Sequence, residues 1–145
     1  ALKACGIAYA RTANSTGFFT LPNDFLAWHP TCHHKNAPEI ANRFMQNYVP
    51  DPYFSGLVLY IFGHSHEFNR DNNWELIEKF LELMGGHDNI WYATNIEIYD
   101  YIDAYKRLQF SAKGDTVYNP SATRIWFSIN HDVVSVGAGE TLKLF

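Results

Sequence analysis

The chain has 145 residues, a net charge of -4, 47% hydrophobic and 17% aromatic residues. That length supports one domain with a sizeable core, and the acidic balance gives no reason to expect nucleic acid or an anionic membrane surface as partner. No apolar stretch is long enough to span a bilayer, and two cysteines, Cys5 and Cys32, are too few for a disulfide framework, which leaves the redox compartment open.

The opening, ALKACGIAYA, has no initiator Met and no signal peptide. It reads like the inside of a domain, so an upstream part is expected. Cys5 to Ala10 is an apolar run that predicts a buried strand. Residues 11–36 carry Gly17, Pro22 and Pro30 and predict a long irregular segment, in which Phe18, Phe19, Phe25 and Trp28 argue for order. Pro38 suits the first turn of a helix that runs to about Tyr48 and stops before Pro50 and Pro52. Leu57 to Phe62 predicts a central strand. Asn72 to Met84 predicts an amphipathic helix with Trp74, Ile77, Leu81 and Met84 on one face, Asn72 as its cap and Gly85-Gly86 as its end.

Ile90 to Tyr92 is a further short strand candidate. Thr94-Asn95-Ile96-Glu97 is a capping-box pattern opening a helix towards Phe110. The alternation over 57–110 predicts an α/β layout with parallel strands. After Gly114 the pattern changes to short strands at Val117-Tyr118, Arg124 to Ile129, Val133 to Val136 and Thr141 to Leu144. Residues 1–114 are therefore expected to form one α/β part, and 115–145 an antiparallel appendage packed on it.

The strand over 57–62 delivers Gly63-His64-Ser65-His66-Glu67 at its C-terminal end. Sites of parallel α/β folds lie at that end, and a histidine there can be a general acid or a metal ligand. The plain alternative is a histidine hydrogen-bonded at a strand end. His66 turns away from His64 if the strand continues. A second cluster, Trp28-His29-Pro30-Thr31-Cys32-His33-His34, holds three histidines and a cysteine within six residues. It could bind zinc or be a polar loop whose histidines cap backbone groups. Arg11 follows the first strand directly and could orient a carboxylate or bind an anion, or equally be an exposed charge. Trp91, Thr94 and Glu97 form a strand-to-helix turn whose stronger reading is packing and capping. His87 and His131 read as surface, and Ser65 lacks the context of a nucleophile elbow.

Two resemblances attach to these residues. Gly63-His64-Ser65-His66 resembles the G-H-x-H motif of calcineurin-like metallophosphoesterases, but that family's G-D-x-x-D and G-N-H-[DE] blocks do not occur. The longer stretches GIAYARTANSTGFFTLPNDFLAWHPTCHH, LYIFGHSHEFNRDNNWELIEKFLELM and DNIWYATNIEIYDYIDAYKRL resemble, in order over roughly residues 5–110, the C-terminal half of the polysaccharide deacetylase family with its NodB-homology domain. The second resemblance is preferred. It implies the C-terminal part of a deformed (β/α) barrel and metal-dependent removal of acetyl groups from a polysaccharide or oligosaccharide. It also implies a divalent metal, usually zinc, held by an Asp and two His, with a second Asp as general base.

The motifs for those ligands, T-F-D-D-G and H-[ST]-x-x-H, are absent. His29 to His33 has the second motif's spacing but carries Pro30 in place of Ser or Thr, so no ligand role is transferred and the metal ligands are left unassigned. Two roles transfer as implications: Arg11 as the arginine that orients the catalytic base, and His64 as the general acid for the leaving group. Trp28, His29, His33, His34, His66 and Trp91 are expected to line the substrate cleft. The chain alone is not expected to hold the metal fully. It is then a fragment, a half completed by a second chain, or an inactive relative, and the internal-looking start favours the fragment. An extracytoplasmic or cell-envelope location follows from the resemblance only. A non-catalytic glycan-binding module using Phe18, Phe19, Trp28 and Trp91 as stacking platforms is the alternative.

Overall fold

The computed structural model describes residues 1–47 and 56–145. They divide into two compact units, Ala1–Tyr92 and Ala93–Phe145. The predicted helix end at Tyr48 and its stop signals Pro50 and Pro52 lie outside the described residues.

In the first unit, Lys3–Cys5 forms a single 3-10 turn, and Gly6 closes it at φ 74°. The predicted strand Cys5 to Ala10 is therefore absent; Gly6 in the left-handed region turns the chain before the apolar run can extend. Pairing begins only at its end. Ala10 N–H donates to Phe25 O and Trp28 N–H to Ala10 O, each at 2.9 Å, and Arg11 makes a parallel bridge to Trp28.

The same segment continues into β1 (Cys32–His33), which pairs in parallel with β2 (Ile61–Phe62) in the register Cys32 to Ile61 and His33 to Phe62. Leu57 to Tyr60, predicted as strand, is extended but bonded irregularly: Val58 N–H donates to Phe19 O at 2.8 Å, and Tyr60 N–H to the Thr31 hydroxyl at 3.0 Å. Thr31 takes the place of a backbone partner there, which shortens the ladder.

After β1 come a 3-10 turn (His34–Asn36) and α1 (Ala37–Asn47). After β2 comes α2 (Ser65–Asp71), a helix that the sequence reading does not predict. Asn72 ends α2 in the left-handed conformation, so it is not the cap of the next helix as expected; Asn73 occupies that position for α3 (Trp74–Met84). The expected apolar face of α3 is also shifted. Phe80, Leu83 and Met84 pack into the core with Phe19, Cys32, Ile40, Ala41 and Phe44, whereas Leu81 and Trp74 are exposed. Ile90 to Tyr92 is irregular rather than a strand, because the Tyr92 hydroxyl donates to Met84 O at 2.6 Å and accepts from His87 N–H at 3.0 Å, folding the chain back on the helix end. His87, read as surface, also bonds Leu83 O through Nε2 at 2.9 Å.

In the second unit, α4 (Asn95–Lys106) starts at the full capping box expected of Thr94 and Glu97. β3 (Gln109–Phe110), β4 (Thr116–Tyr118) and β7 (Thr141–Lys143) form an antiparallel sheet, and β5 (Ile125–Ile129) and β6 (Asp132–Val136) a hairpin. Asn130 and His131 make its turn at positive φ, which matches the right-handed twist of the strands. Ala104, Val117, Ile125 and Val136 are the core. α4 and β3, grouped by sequence pattern with the preceding alternation, belong to this unit. Among the described residues no closed barrel forms.

Candidate functional site

The parallel register fixes where the functional side chains fall. β1 ends at His33 and hands His34 to the following turn; β2 ends at Phe62 and hands Gly63-His64 to α2. Both C-terminal strand ends thus open on one place, the usual position of a ligand site in parallel α/β units.

Glu67, in the first turn of α2, is the centre of what gathers there. Its Oε2 lies 3.3 Å from His33 Nε2 and 3.3 Å from His34 Nε2, and its Oε1 lies 3.6 Å from His64 Nδ1. The His33 and His34 rings lie 4.1 Å apart, tilted by 38°. His34 is sandwiched further by Phe68 at 4.4 Å, and His33 meets the edge of Phe62 at 5.0 Å. A Cβ on residue 63 would fall on the His34 ring, so only glycine lets β2 pass this imidazole. Lys35 and Asp71 pair at 3.3 Å and tie the His34 turn to the end of α2.

Charge is graded across the cluster. Burial first, then the adjacent His33, hold the His34 pKa below the ordinary histidine value. For Glu67, burial works upward but is outweighed by His33, Lys35, His34 and Arg70, so its carboxyl titrates below the usual range. The Arg70 hydrogen bonds keep Asp71 ionised as well. At neutral pH the cluster therefore holds an uncharged imidazole at His34 beside an ionised carboxylate at Glu67.

The predicted residues divide into those the fold brings here and those it does not. His33, His34 and His64 belong to the cluster. Arg11 stands beside it, its guanidinium 4.6 Å over the Phe62 ring, a spacing at which the cation is attracted to the ring face. His66 does not turn away from His64 as a continued strand requires; α2 begins at Ser65, and the two rings lie 5.4 Å apart. His29 goes elsewhere: its Nδ1 is 2.5 Å from the Thr12 hydroxyl, and it lines a cleft of about 300 Å³ with Thr16, Leu21, Asp24 and Ala27. Trp28 is 2% exposed and enclosed by Tyr9, Phe25 and Tyr60, so it is a core ring and not the expected platform for a sugar. Trp91 is 59% exposed, in the irregular stretch after α3.

Glu67 is the residue that sequence reasoning missed. Its signal was present: three residues after His64, it shares a helix face with it once Ser65–Asp71 is helical. The described residues offer one set of three groups able to hold a metal ion, His33, His34 and Glu67, with ligand atoms all within 4.8 Å of one another. Two imidazoles and a carboxylate suit zinc and related divalent metals. Comparison of the chain with family models, with curated proteins and with solved structures finds no match in any of the three.

Proposed function

We propose that this chain takes part in metal-dependent removal of acetyl groups from a polysaccharide or oligosaccharide, with His64 as proton donor and Arg11 as an orienting cation. The observation that carries this reading is the convergence of His33, His34, His64 and Glu67 at the ends of two parallel strands, with Arg11 beside them on Phe62. A divalent metal, which His33, His34 and Glu67 would hold, would supply Lewis acidity there.

The chain's own residues supply the rest. The His64 side chain is 57% exposed, so a substrate can reach it, and its Nδ1 is turned towards Glu67 Oε1 at 3.6 Å. As general acid, His64 gives a proton to the nitrogen or oxygen that leaves as the acetyl group departs, a contribution of about 10²–10⁴-fold in rate. Arg11 is braced by the Phe62 ring and by donation from Nη1 to Thr12 O at 3.2 Å, which leaves its remaining donors for a carboxylate or the reacting carbonyl. The resemblance along residues 5–110 supports the substrate class; the geometry supports the roles.

A non-catalytic glycan-binding module draws support from the exposed rings of Phe18 and Trp91 and none from Trp28 and Phe19, which are buried. The test is acetate release from acetylated chito- and xylo-oligosaccharides. It is run on the zinc-loaded chain and on the same chain extended to the ends of its reading frame. Release from either, reduced about 100-fold or more by His64→Ala, supports the proposal. Absence of release from both, with calorimetric oligosaccharide binding, transfers support to the binding module.

A further inference from the structure

We infer that His33 Nε2, His34 Nε2 and Glu67 Oε2 form a mononuclear divalent-metal site of the zinc class, held wholly by this chain and open to one further ligand. The inference rests on these side chains alone and stands whether or not the substrate is an acetylated glycan. It differs from the Asp and two His that the resemblance implies, none of which is assigned here.

Spacing is the first argument. Two ligands at about 2.0–2.1 Å from a tetrahedral zinc stand about 3.3 Å from each other. Each histidine Nε2 lies 3.3 Å from Glu67 Oε2. That is longer than a charge-assisted hydrogen bond, which closes to about 2.7–2.9 Å, and these two distances match edges of a coordination tetrahedron, with all three ligand atoms within 4.8 Å of one another.

Satisfaction is the second. His34 is 3% exposed, and neither of its ring nitrogens has a hydrogen-bond partner; the buried Glu67 Oε2 also has none. Buried imidazole and carboxylate groups are rarely left unbonded, because the lost hydration is not replaced. His34 Nε2 and Glu67 Oε2 face each other across a gap of ligand-to-ligand length. A cation between them satisfies both at once; a hydrogen bond between them, at this alignment, satisfies neither.

Support around the ligands is the third. The His34 ring is clamped between Phe68 and His33, with Gly63 leaving room for it. Phe62 and Phe68 make the surroundings apolar, which strengthens the pull of ligands on a cation. The Lys35–Asp71 pair fixes the two carrier elements against each other. One contact runs the other way: His33 Nδ1 accepts a long 3.4 Å bond from Lys35 N–H. A metal on Nε2 places the ring proton on Nδ1, so this weak bond opens when metal binds. On the remaining side the site is reached by solvent, with His33 24% and Glu67 14% exposed. An open coordination position distinguishes a reactive zinc site from a closed structural one.

The test uses the metal-free 145-residue chain and reads binding, not turnover. Zinc is titrated by calorimetry, and cobalt(II) by its visible absorption. The expected result is saturable binding of one metal per chain, a rise in melting temperature with zinc, and a shifted Lys35 amide resonance. Glu67→Gln keeps the shape of the side chain and removes the charge. It should weaken binding by more than the about 10- to 100-fold that loss of an outer partner costs. His34→Ala should do the same, and circular dichroism checks that it folds. His29→Ala and His66→Ala should bind as the parent does. Absence of saturable binding in the parent overturns the inference, as does full affinity in Glu67→Gln or loss of affinity in His29→Ala. Metal binding without acetate release retains this site and counts against the glycan reading; acetate release with unchanged affinity in Glu67→Gln does the reverse.

Discussion

Gly63→Ala perturbs the site through one methyl group. The new Cβ falls on the ring of His34, which is buried with the Phe68 ring at 4.4 Å and the His33 ring at 4.1 Å, so moving it aside disturbs both neighbours. Forcing a methyl into such a place costs about 1–3 kcal/mol. The same substitution stiffens the unfolded chain and returns about 0.4–1 kcal/mol. The net expectation is a loss of about 0–2.6 kcal/mol, together with a displaced His34 and weakened zinc binding. Urea unfolding followed by tryptophan fluorescence measures the first, in a Trp126→Phe background so that the signal comes from the unit holding Trp28, Trp74 and Trp91. Calorimetric zinc titration measures the second. A Gly63→Ala chain that is as stable as the parent or more so, and binds zinc equally well, would refute the placement of His34 against β2.

Asn119 is fully buried; its Nδ2 donates to Thr123, Val136 and Gly137 carbonyls at 2.8–3.1 Å, and its Oδ1 accepts from Ser121 N–H and hydroxyl. Asn119→Ala strands several of these groups at about 1 kcal/mol or more each, so a loss of about 3–5 kcal/mol is expected in thermal unfolding of the second unit; a loss under about 1 kcal/mol contradicts the network. Thr94→Ala removes the cap hydroxyl of α4 and should cost about 1 kcal/mol by the same measurement. Burial pushes the Cys32 thiol up to about 11, while Cys5 is exposed. A thiol reagent at about pH 8, near the ordinary thiol range, should therefore modify Cys5 quickly and Cys32 only after denaturation; equal rates would place Cys32 at the surface.

Much of the second unit was legible in the sequence because its signals are local. The Thr94–Glu97 box lies within four residues, and the strands over 116–143 alternate between turn residues. The hairpin turn at Asn130-His131 needs two residues that accept positive φ, and asparagine is one of the few that do so readily. The first unit was less legible. α2 is short, with exposed residues on most positions, and its sequence follows a strand end without a side-chain cap. Nothing in SHEFNRD by itself outweighs the preceding run of β-formers.

The α3 face differs from its expected position for a related reason. The helix is apolar at Trp74, Leu76, Ile77, Phe80, Leu81, Leu83 and Met84, more positions than one stripe can bury, and only packing against α1 selects Phe80, Leu83 and Met84. The site shows the same limit. His64 stood out at a strand end, and His33 and His34 in a histidine-rich stretch of a segment expected to be irregular, whereas Glu67 gains its meaning from the parallel register that brings β1 beside β2. Trp28 was expected to line the cleft beside the histidine-rich stretch, and its neighbours Tyr9, Phe25 and Tyr60 make it a core ring.

The most direct measurement is an anomalous difference map at the zinc edge from crystals of the chain grown with zinc. The expected result is a single strong peak about 2.0–2.2 Å from His33 Nε2, His34 Nε2 and a Glu67 carboxylate oxygen. A map without a peak there, or with the metal held by His29 or His66 instead, would contradict it.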